Sequence, residues 1–313
     1  MLSVVVCTFN RARLLRECLD SLVVQSVDGT AFEVVVVDNN SSDDTELVCR
    51  EYASKHPFVR YCVERIQGHA HARNRGWREA AGEYVAYTDD DCVVAPDWCQ
   101  RILKSFHSLH PTPDALGGKI LPRYERQPPR WFTDDFEIRS WGEESRFLVM
   151  GKDFSGFSGA NMAFRREVLS AVGGFSERFG IVSGKLVKGE DTEVFHRLVP
   201  RFSRFWYDKD LTVRHWTPAS FLRMRHRVTD AFRGGQGLAR LDSRSAFSPH
   251  VLVRLLSFSL LLPEFAVRFV QEEGTPMARA VRASSRLAHR AGFVWAKLSA
   301  MRGAEKDSRT IPS

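Results

Sequence analysis

Three consecutive carboxylates, Asp89-Asp90-Asp91, are the residues of this chain whose types and spacing most directly imply chemistry. They close the alternating, β-forming run Glu83-Tyr84-Val85-Ala86-Tyr87 and so sit where a buried strand opens to solvent. On an extended backbone residues i and i+2 point the same way, which predicts that Asp89 and Asp91 share a face and Asp90 points elsewhere. Two carboxylates a few ångströms apart repel by roughly 1–4 kcal/mol, depending on the local dielectric. A hard divalent cation with oxygen ligands reverses that sign, and the same ion can hold a polyphosphate. Taken alone, three aspartates also fit a solvated acidic turn, so the surrounding elements must decide.

Those elements alternate. Leu2–Cys7 is a near-continuous apolar run ending in Thr8-Phe9-Asn10-Arg11. Asn10 is placed to cap a helix carrying Leu14, Leu15, Cys18, Leu19 and Leu22. Phe32–Val37 repeats the pattern, and the polar cluster Asp38–Thr45 caps a second helix through Tyr52. A third unit has a strand around Phe58–Val63 and a helix from about Ala70 to Ala81, with Gly82 suited to a left-handed cap. The fourth strand enters the aspartates. Such alternation predicts an α/β fold, a doubly wound, mostly parallel mixed sheet with helices on both faces. Ligands of such sheets bind beyond the carboxyl ends of the strands, where Thr8, Asn10, Asp38 and Asp89–Asp91 all fall. Neither GxGxxG after the first strand nor GxxxxGK[ST] anywhere is present, which counts against a dinucleotide fold and a P-loop.

Further on, a helix from Pro96 to about His107 and a strand near Ala115–Leu121 lead to an irregular stretch, Pro122–Lys152, either a loop over the crevice or a packed excursion. Ser158–Phe164 reads as a small-residue turn and short strand, and Arg166–Ala171 as a helix broken at Gly173-Gly174. The glycine-rich segment Gly180–Gly189 reads as a mobile loop that delivers Glu190-Asp191 to the N-terminus of a helix over Thr192–Val199, with Phe195, Leu198 and Val199 on its apolar side.

The 313 residues suffice for one large α/β domain and an appendage, divided at 1–217 and 218–313. The net charge of +7 is unevenly placed. Residues 218–313 hold 16 Lys+Arg against 7 Asp+Glu, a net +9, which leaves −2 for the rest. A basic appendage suits an acidic surface. Val251–Val270 is apolar but interrupted by Arg254, Pro263, Glu264 and Arg268, which argues against a membrane span. Over Met277–Met301, Val281, Ala288, Ala291, Trp295 and Leu298 share one helical side and Arg282, Arg286 and Arg290 another. That pattern fits either a helix lying in a membrane interface or one docked on the catalytic domain. No aromatic stacking platform accompanies the basic residues, so nucleic acid is not an expected partner. The six cysteines all lie in the first hundred residues without a CxxC pair, as in a reducing compartment, and the chain enters a strand at once without a basic leader.

In order and spacing, VVVCTFNR (4–11), VVVVDNNSSDDT (34–45), HARNRG (71–76), YTDDD (87–91), GANMAFRREVLSAVGGF (159–175) and GEDTEV (189–194) resemble the family 2 glycosyltransferases of GT-A fold, over roughly the first 215 residues. The resemblance implies an inverting, metal-dependent glycosyltransferase using Mg²⁺ or Mn²⁺. It would move a sugar from a nucleoside diphosphate sugar, UDP-linked, to a hydroxyl of a glycan or lipid-linked acceptor, in cell-envelope polysaccharide synthesis at the cytoplasmic membrane face. It also implies residue roles. Asp38 would receive the nucleobase and Arg73 would lie against the same nucleotide, with Thr8, Asn10, Arg11, Asn40, Asn74, Asp89 and Asp90 on the donor side. Asp91 would hold the cation with Asp89, and His215 is a possible third ligand or a structural histidine. Asp191 would be the catalytic base, although Glu190-Asp191 also fit a helix cap, and Glu190, Gly159 and Asn161 would line the acceptor side. Gln127-Pro128-Pro129-Arg130-Trp131 matches the QxxRW string of processive synthases but precedes Glu190-Asp191, so processive polymerisation is not expected. The alternatives are a sugar nucleotidyltransferase, disfavoured by the missing glycine-rich Lys/Arg loop, and a non-catalytic nucleotide-sugar-binding protein.

Overall fold

Leu2–Thr8 (β1) is buried along its whole length, and its alternation divides the core into two layers. Leu2, Val4 and Val6 pack with Leu15, Leu19 and Leu22 of Ala12–Val23 (α1), with Val48 and Cys49 of Thr45–Lys55 (α2) and with Trp98 and Ile102 of Trp98–Ser108 (α4). Val5 and Cys7 face the opposite layer, with Ala70 and Ala72 of His69–Glu79 (α3), Val168 and Leu169 of Arg166–Val172 (α5), and Phe195 and Leu198 of Glu190–Leu198 (α6). Period-two side chains on a strand covered on both faces require this continuous apolar run. The computed structural model describes residues 1–25, 27, 32–182, 185–187, 189–242 and 274–308.

The strands Phe32–Asp38 (β2), Val59–Val63 (β3), Tyr84–Asp89 (β4), Cys92–Val94 (β5), Ala115–Tyr124 (β6), Arg146–Leu148 (β7), Met162–Arg165 (β8) and Phe205–Thr217 (β11) complete a nine-stranded sheet with β1. Its order is β3-β2-β1-β4-β8-β6-β11-β5, with β7 beside β11. The expected parallel character is confined to β3, β2, β1 and β4. The β4–β8, β6–β8, β5–β11 and β7–β11 ladders are antiparallel, because these pairs are not joined by βαβ crossovers. Register sets Thr8 beside Asp38 and Cys7 beside Asp89, so three site positions end on one edge.

Several local expectations are corrected. Asn10 does not cap α1: it adopts φ 52 and its Oδ1 accepts the Ser42 N–H at 2.7 Å, while Asp43 Oδ2 accepts the first helical N–H, Ala12, at 3.2 Å. Helix α3 ends at Glu79 on an extended Ala80, so Gly82 is not its left-handed cap. A Cβ on Gly82 would lie 2.8 Å from Met1 O and from Ser3 N, and its N–H donates to Ser3 Oγ; glycine serves close approach there. Gly180–Val182 (β9) and Lys185–Val187 (β10) are short paired strands within the segment read as a mobile loop. Val199 is 41% exposed, and Val194 takes its place on the buried side of α6.

The chain forms two compact units. Residues 1–123, 137–185 and 190–216 make the first, and 124–136, 186–189 and 217–313 the second. The second groups residues 124–136 with the C-terminal region. Within it, Met224–Leu241 (α7) packs along Pro276–Ser308 (α8), with Ala239 and Phe293 buried between them. The anticipated stripe on α8 is broken: Val281 is buried, whereas Trp295 is 56% exposed and Leu298 41% exposed. The apolar run 251–270 lies outside the described residues, and among those described no helix is long and apolar enough to cross a membrane.

Asn161, expected on the acceptor side, instead ties elements of the first unit together. Its Oδ1 accepts Trp98 Nε1–H at 2.9 Å, and its Nδ2 donates to Leu211 O at 2.8 Å and Lys119 O at 3.1 Å. It is 1% exposed, and both of its amide protons are donated to backbone carbonyls. Asn161→Ala strands one buried donor and two carbonyls, and urea unfolding should show a loss of about 2–4 kcal/mol. A loss under about 0.5 kcal/mol, the level of an ordinary surface change, would contradict this role.

Candidate functional site

The sequence places Asp89 at the last position of β4, and Asp90 and Asp91 form the turn into β5. Because the strand stops there, the alternation that would pair Asp89 with Asp91 is not continued. Asp90 and Asp91 are instead joined by Arg11, whose Nη1 lies 3.0 Å from Asp90 Oδ1 and 2.7 Å from Asp91 Oδ2. Asp89 turns to the other side, toward Arg73 Nη2 at 3.5 Å and His69 Nε2 at 3.9 Å. His215 comes from β11 in register with Cys92, and its Nε2 lies 3.3 Å from Asp91 Oδ1.

Arg73, on α3, is the centre of the arrangement. Its side chain is 2% exposed and reaches Asp89, Glu190 at 3.2 Å and Asp191. Gly159 leaves room for it, since a Cβ there would collide with the guanidinium. The Gly159 N–H donates to Asp191 Oδ2 at 2.9 Å, so Asp191 is held by Arg73 on one oxygen and by backbone on the other. Glu190 Oε1 meets His69 Nδ1 at 2.6 Å. His69 was not singled out in the sequence; its only signal was a second histidine one turn before Arg73, indistinguishable there from His71.

Burial opposes charge throughout the cluster, and the cations decide which groups keep it. Burial works against Asp89, but Arg73 and then His69 hold its carboxyl below the usual range. Burial likewise works against Glu190, and its hydrogen bond to His69 leaves it lowered. Burial and Arg73 resist protonation of His69, yet Glu190 and Asp89 keep it raised. At the turn burial prevails: Asp91 is raised despite His215, and Asp90 is pushed up to about 6 despite Arg11.

The other expected residues divide. Asp38 is 3% exposed at the end of β2, its carboxylate accepting Ser41 N–H at 2.9 Å and Tyr61 O–H at 3.3 Å. Thr8 is buried beside it in register, and Asn40, exposed at φ 65, follows it. Asn10, through Ser41 and Ser42, laces the β1–α1 loop to the β2–α2 loop. Asn74 does not join the cluster: its amide exchanges hydrogen bonds with the Phe175 backbone, both at 2.8 Å, and accepts Trp77 Nε1–H. Asn39, unremarked in sequence, clamps the loop before α3 by donating to Glu64 O and Ile66 O and accepting Gly68 N–H.

Asp191 also borders an open cleft of about 350 Å³, lined by Ile138, Arg139, Trp141, Ser158 and Thr192. Part of the irregular Pro122–Lys152 stretch therefore flanks the carboxylates. Elsewhere that stretch is a packed excursion, with Trp141 edge-on to Phe157 and Tyr207.

The donor set fits a divalent cation. Asp91, His215 and the Cys92 thiol present ligand atoms within 4.8 Å of one another, although burial keeps the thiol protonated and so leaves Asp91 and His215 as the donors. Carboxylate oxygens with one imidazole suit Mg²⁺ or Mn²⁺. The unfolded chain releases the Asp90 proton near pH 4, whereas the folded protein keeps it to about 6. Stability from this group is therefore complete below pH 4 and lost as pH rises through 6. In chelator, Asp90→Asn should unfold with about 1–2 kcal/mol more stability than wild type at pH 7.5, and the gain should vanish near pH 4. A gain independent of pH would contradict the charge argument.

The sequence model of Glycosyl transferase family 2 matches residues 3–173. Glucosyl-dolichyl phosphate glucuronosyltransferase of Haloferax volcanii is 26% identical over 216 residues, 68% of each chain. Several further curated relatives are spanned over only about a third of their length. The mannosyltransferase PcManGT of Pyrobaculum calidifontis, solved with GDP-Man and Mn²⁺, superposes with a TM-score of 0.57 at 25% identity, over 97% of this chain and 75% of its own. TarS 1–349 of S. aureus, solved with UDP-GlcNAc, superposes with a TM-score of 0.55 over 96% of this chain and 92% of its own; at 18% identity it speaks for the fold alone. The sheet and its helices have the GT-A fold, and the chain belongs to glycosyltransferase family 2.

Proposed function

We propose that the protein is an inverting transferase that moves a sugar from a nucleoside diphosphate sugar to a hydroxyl of a glycan or lipid-linked acceptor. The observation that carries this reading is the meeting, on one buried guanidinium, of Asp89 at the end of β4 and the Glu190-Asp191 pair. A donor held at the first and an acceptor at the second are thereby a side chain apart. On the donor side, Asp38 and Thr8 bound the nucleoside end at the edge of β1 and β2. PcManGT binds GDP-Man, whereas the family resemblance of this sequence implies a UDP-linked donor, and a nucleotide-sugar panel distinguishes the two.

Asp191 takes the proton of the acceptor hydroxyl. Two hydrogen bonds, from Arg73 and from the Gly159 N–H, fix the direction its lone pairs face. The cleft beside it admits the acceptor, with Trp141 offering an aromatic wall and Arg139 a charged one. As the hydroxyl oxygen attacks the anomeric carbon, the bond to the diphosphate breaks on the opposite face, which inverts the configuration. Asp91 and His215 would hold Mg²⁺ or Mn²⁺, which when bound would supply Lewis-acid neutralisation of the leaving diphosphate, while Asp89, expected beside them, turns instead to Arg73. Glu190 is a positioning residue, fixed by His69 and Arg73.

The same reading assigns the second unit to peripheral contact with a membrane through 251–301, supported by the exposed Trp295 and Leu298 on α8 among basic residues. Cell-envelope polysaccharide synthesis at the inner membrane face is the setting this implies.

Asp191→Asn should lower kcat by about 10²–10⁴-fold, the usual worth of a positioned base, with donor KM changed little. Transfer assays over a nucleotide-sugar panel with Mn²⁺ check this, and unchanged turnover would remove Asp191 as the base.

A further inference from the structure

Asp90 and Asp91 have side chains only 6% and 10% exposed, yet the cation between them, Arg11, is 48% exposed. The acids are fixed in the fold, while their counter-ion is a surface side chain. Its backbone is not equally free. The Arg11 N–H donates to Thr45 Oγ1 at 3.3 Å, Asn10 is bound to Ser41 and Ser42 on one side, and Ala12 is bound to Asp43 on the other. Only the side chain beyond the Cα can swing. Arg11 also holds Asp91 by Oδ2, leaving Oδ1 to face His215 and Cys92. A dication on that oxygen and a guanidinium on its neighbour repel across the one carboxylate, and the half-exposed guanidinium can relieve that repulsion by turning to solvent.

We propose that Arg11 is the resident counter-ion of the aspartate turn, occupying it in the cation-free protein and leaving it when a divalent cation binds. The inference rests on the reading that this turn holds such a cation. The displaced guanidinium stays at the mouth of the site, where its planar fork matches the anionic oxygens of a diphosphate. Arg11 thus makes the turn stable while empty and makes cation binding weaker alone than with the nucleotide.

Titration of the full chain with Mn²⁺ alone, followed by the electron paramagnetic resonance of free Mn²⁺, tests this. Arg11→Ala and Arg11→Gln should bind Mn²⁺ about tenfold more tightly than wild type, the cost of giving up a charge-assisted pair, and Arg11→Lys should stay near wild type. In wild type labelled with ¹⁵N-arginine, saturating Mg²⁺ should move the Arg11 Nε–H resonance toward that of free arginine. Equal or weaker Mn²⁺ binding by both neutral variants, or an unmoved Arg11 resonance with Mg²⁺ bound, overturns the exchange while leaving the cation site intact. Absence of Mn²⁺ binding in wild type and variants alike overturns the cation reading and the exchange with it.

Discussion

Five carboxylates from two distant parts of the chain crowd one edge of the sheet, bridged by two guanidiniums, Arg73 buried and Arg11 half-exposed. Arg73 is the indispensable one. It is buried, it enters through a gap that only glycine at 159 leaves open, and it touches Asp89, Glu190 and Asp191 together. Removing one partner of such a buried set leaves an uncompensated charge and costs about 3–5 kcal/mol. Replacing the whole set with apolar side chains would be cheaper for stability, so the acids are best understood as retained for chemistry.

The rest of the first unit serves to keep that edge rigid. β1 is flanked by β2 and β4 in parallel register, which fixes the depth of Thr8, Asp38 and Asp89 relative to one another. The connecting loops are then laced by side chains: Asn10 to Ser41 and Ser42, Asp43 to Ala12, and Asn39 to the approach of α3. Asn74 and Asn161 do the same for Phe175 and for the β6–β11 region. Backbone that is held before a substrate arrives need not be ordered during the reaction, which is the general route by which positioning lowers a barrier.

The parallel half of the sheet was legible in the sequence because strands buried on both faces leave no choice of residue: β1, β2 and β4 are written in valine, alanine and tyrosine. The site was legible as positions, since the carboxyl ends of those strands carry polar residues, Thr8, Asp38 and Asp89, after apolar runs. Orientation was not. Strand periodicity predicted a shared face for Asp89 and Asp91, but the strand ends at Asp89 and the turn pairs Asp90 with Asp91 through Arg11. Asn10, Asn74 and Asn161 were placed on the ligand side by the family resemblance, which gives positions but not hydrogen-bond partners. Most of their partners are groups remote in sequence, such as Ser42, the Phe175 backbone, Trp98 and Leu211, which no local pattern encodes. His69 escaped notice for the same reason, since only the folded chain brings Glu190 within reach of it.

On this account the aspartate turn and Asp191 serve a single reaction centre, and their common address is a divalent ion. Anomalous diffraction at the manganese edge, from crystals grown with Mn²⁺ and a nucleoside diphosphate, measures that directly. The account predicts a peak bounded by Asp91 and His215, with the diphosphate between it and the cleft that Asp191 borders. A peak elsewhere on the molecule, or a nucleotide bound away from that edge of the sheet, would contradict it.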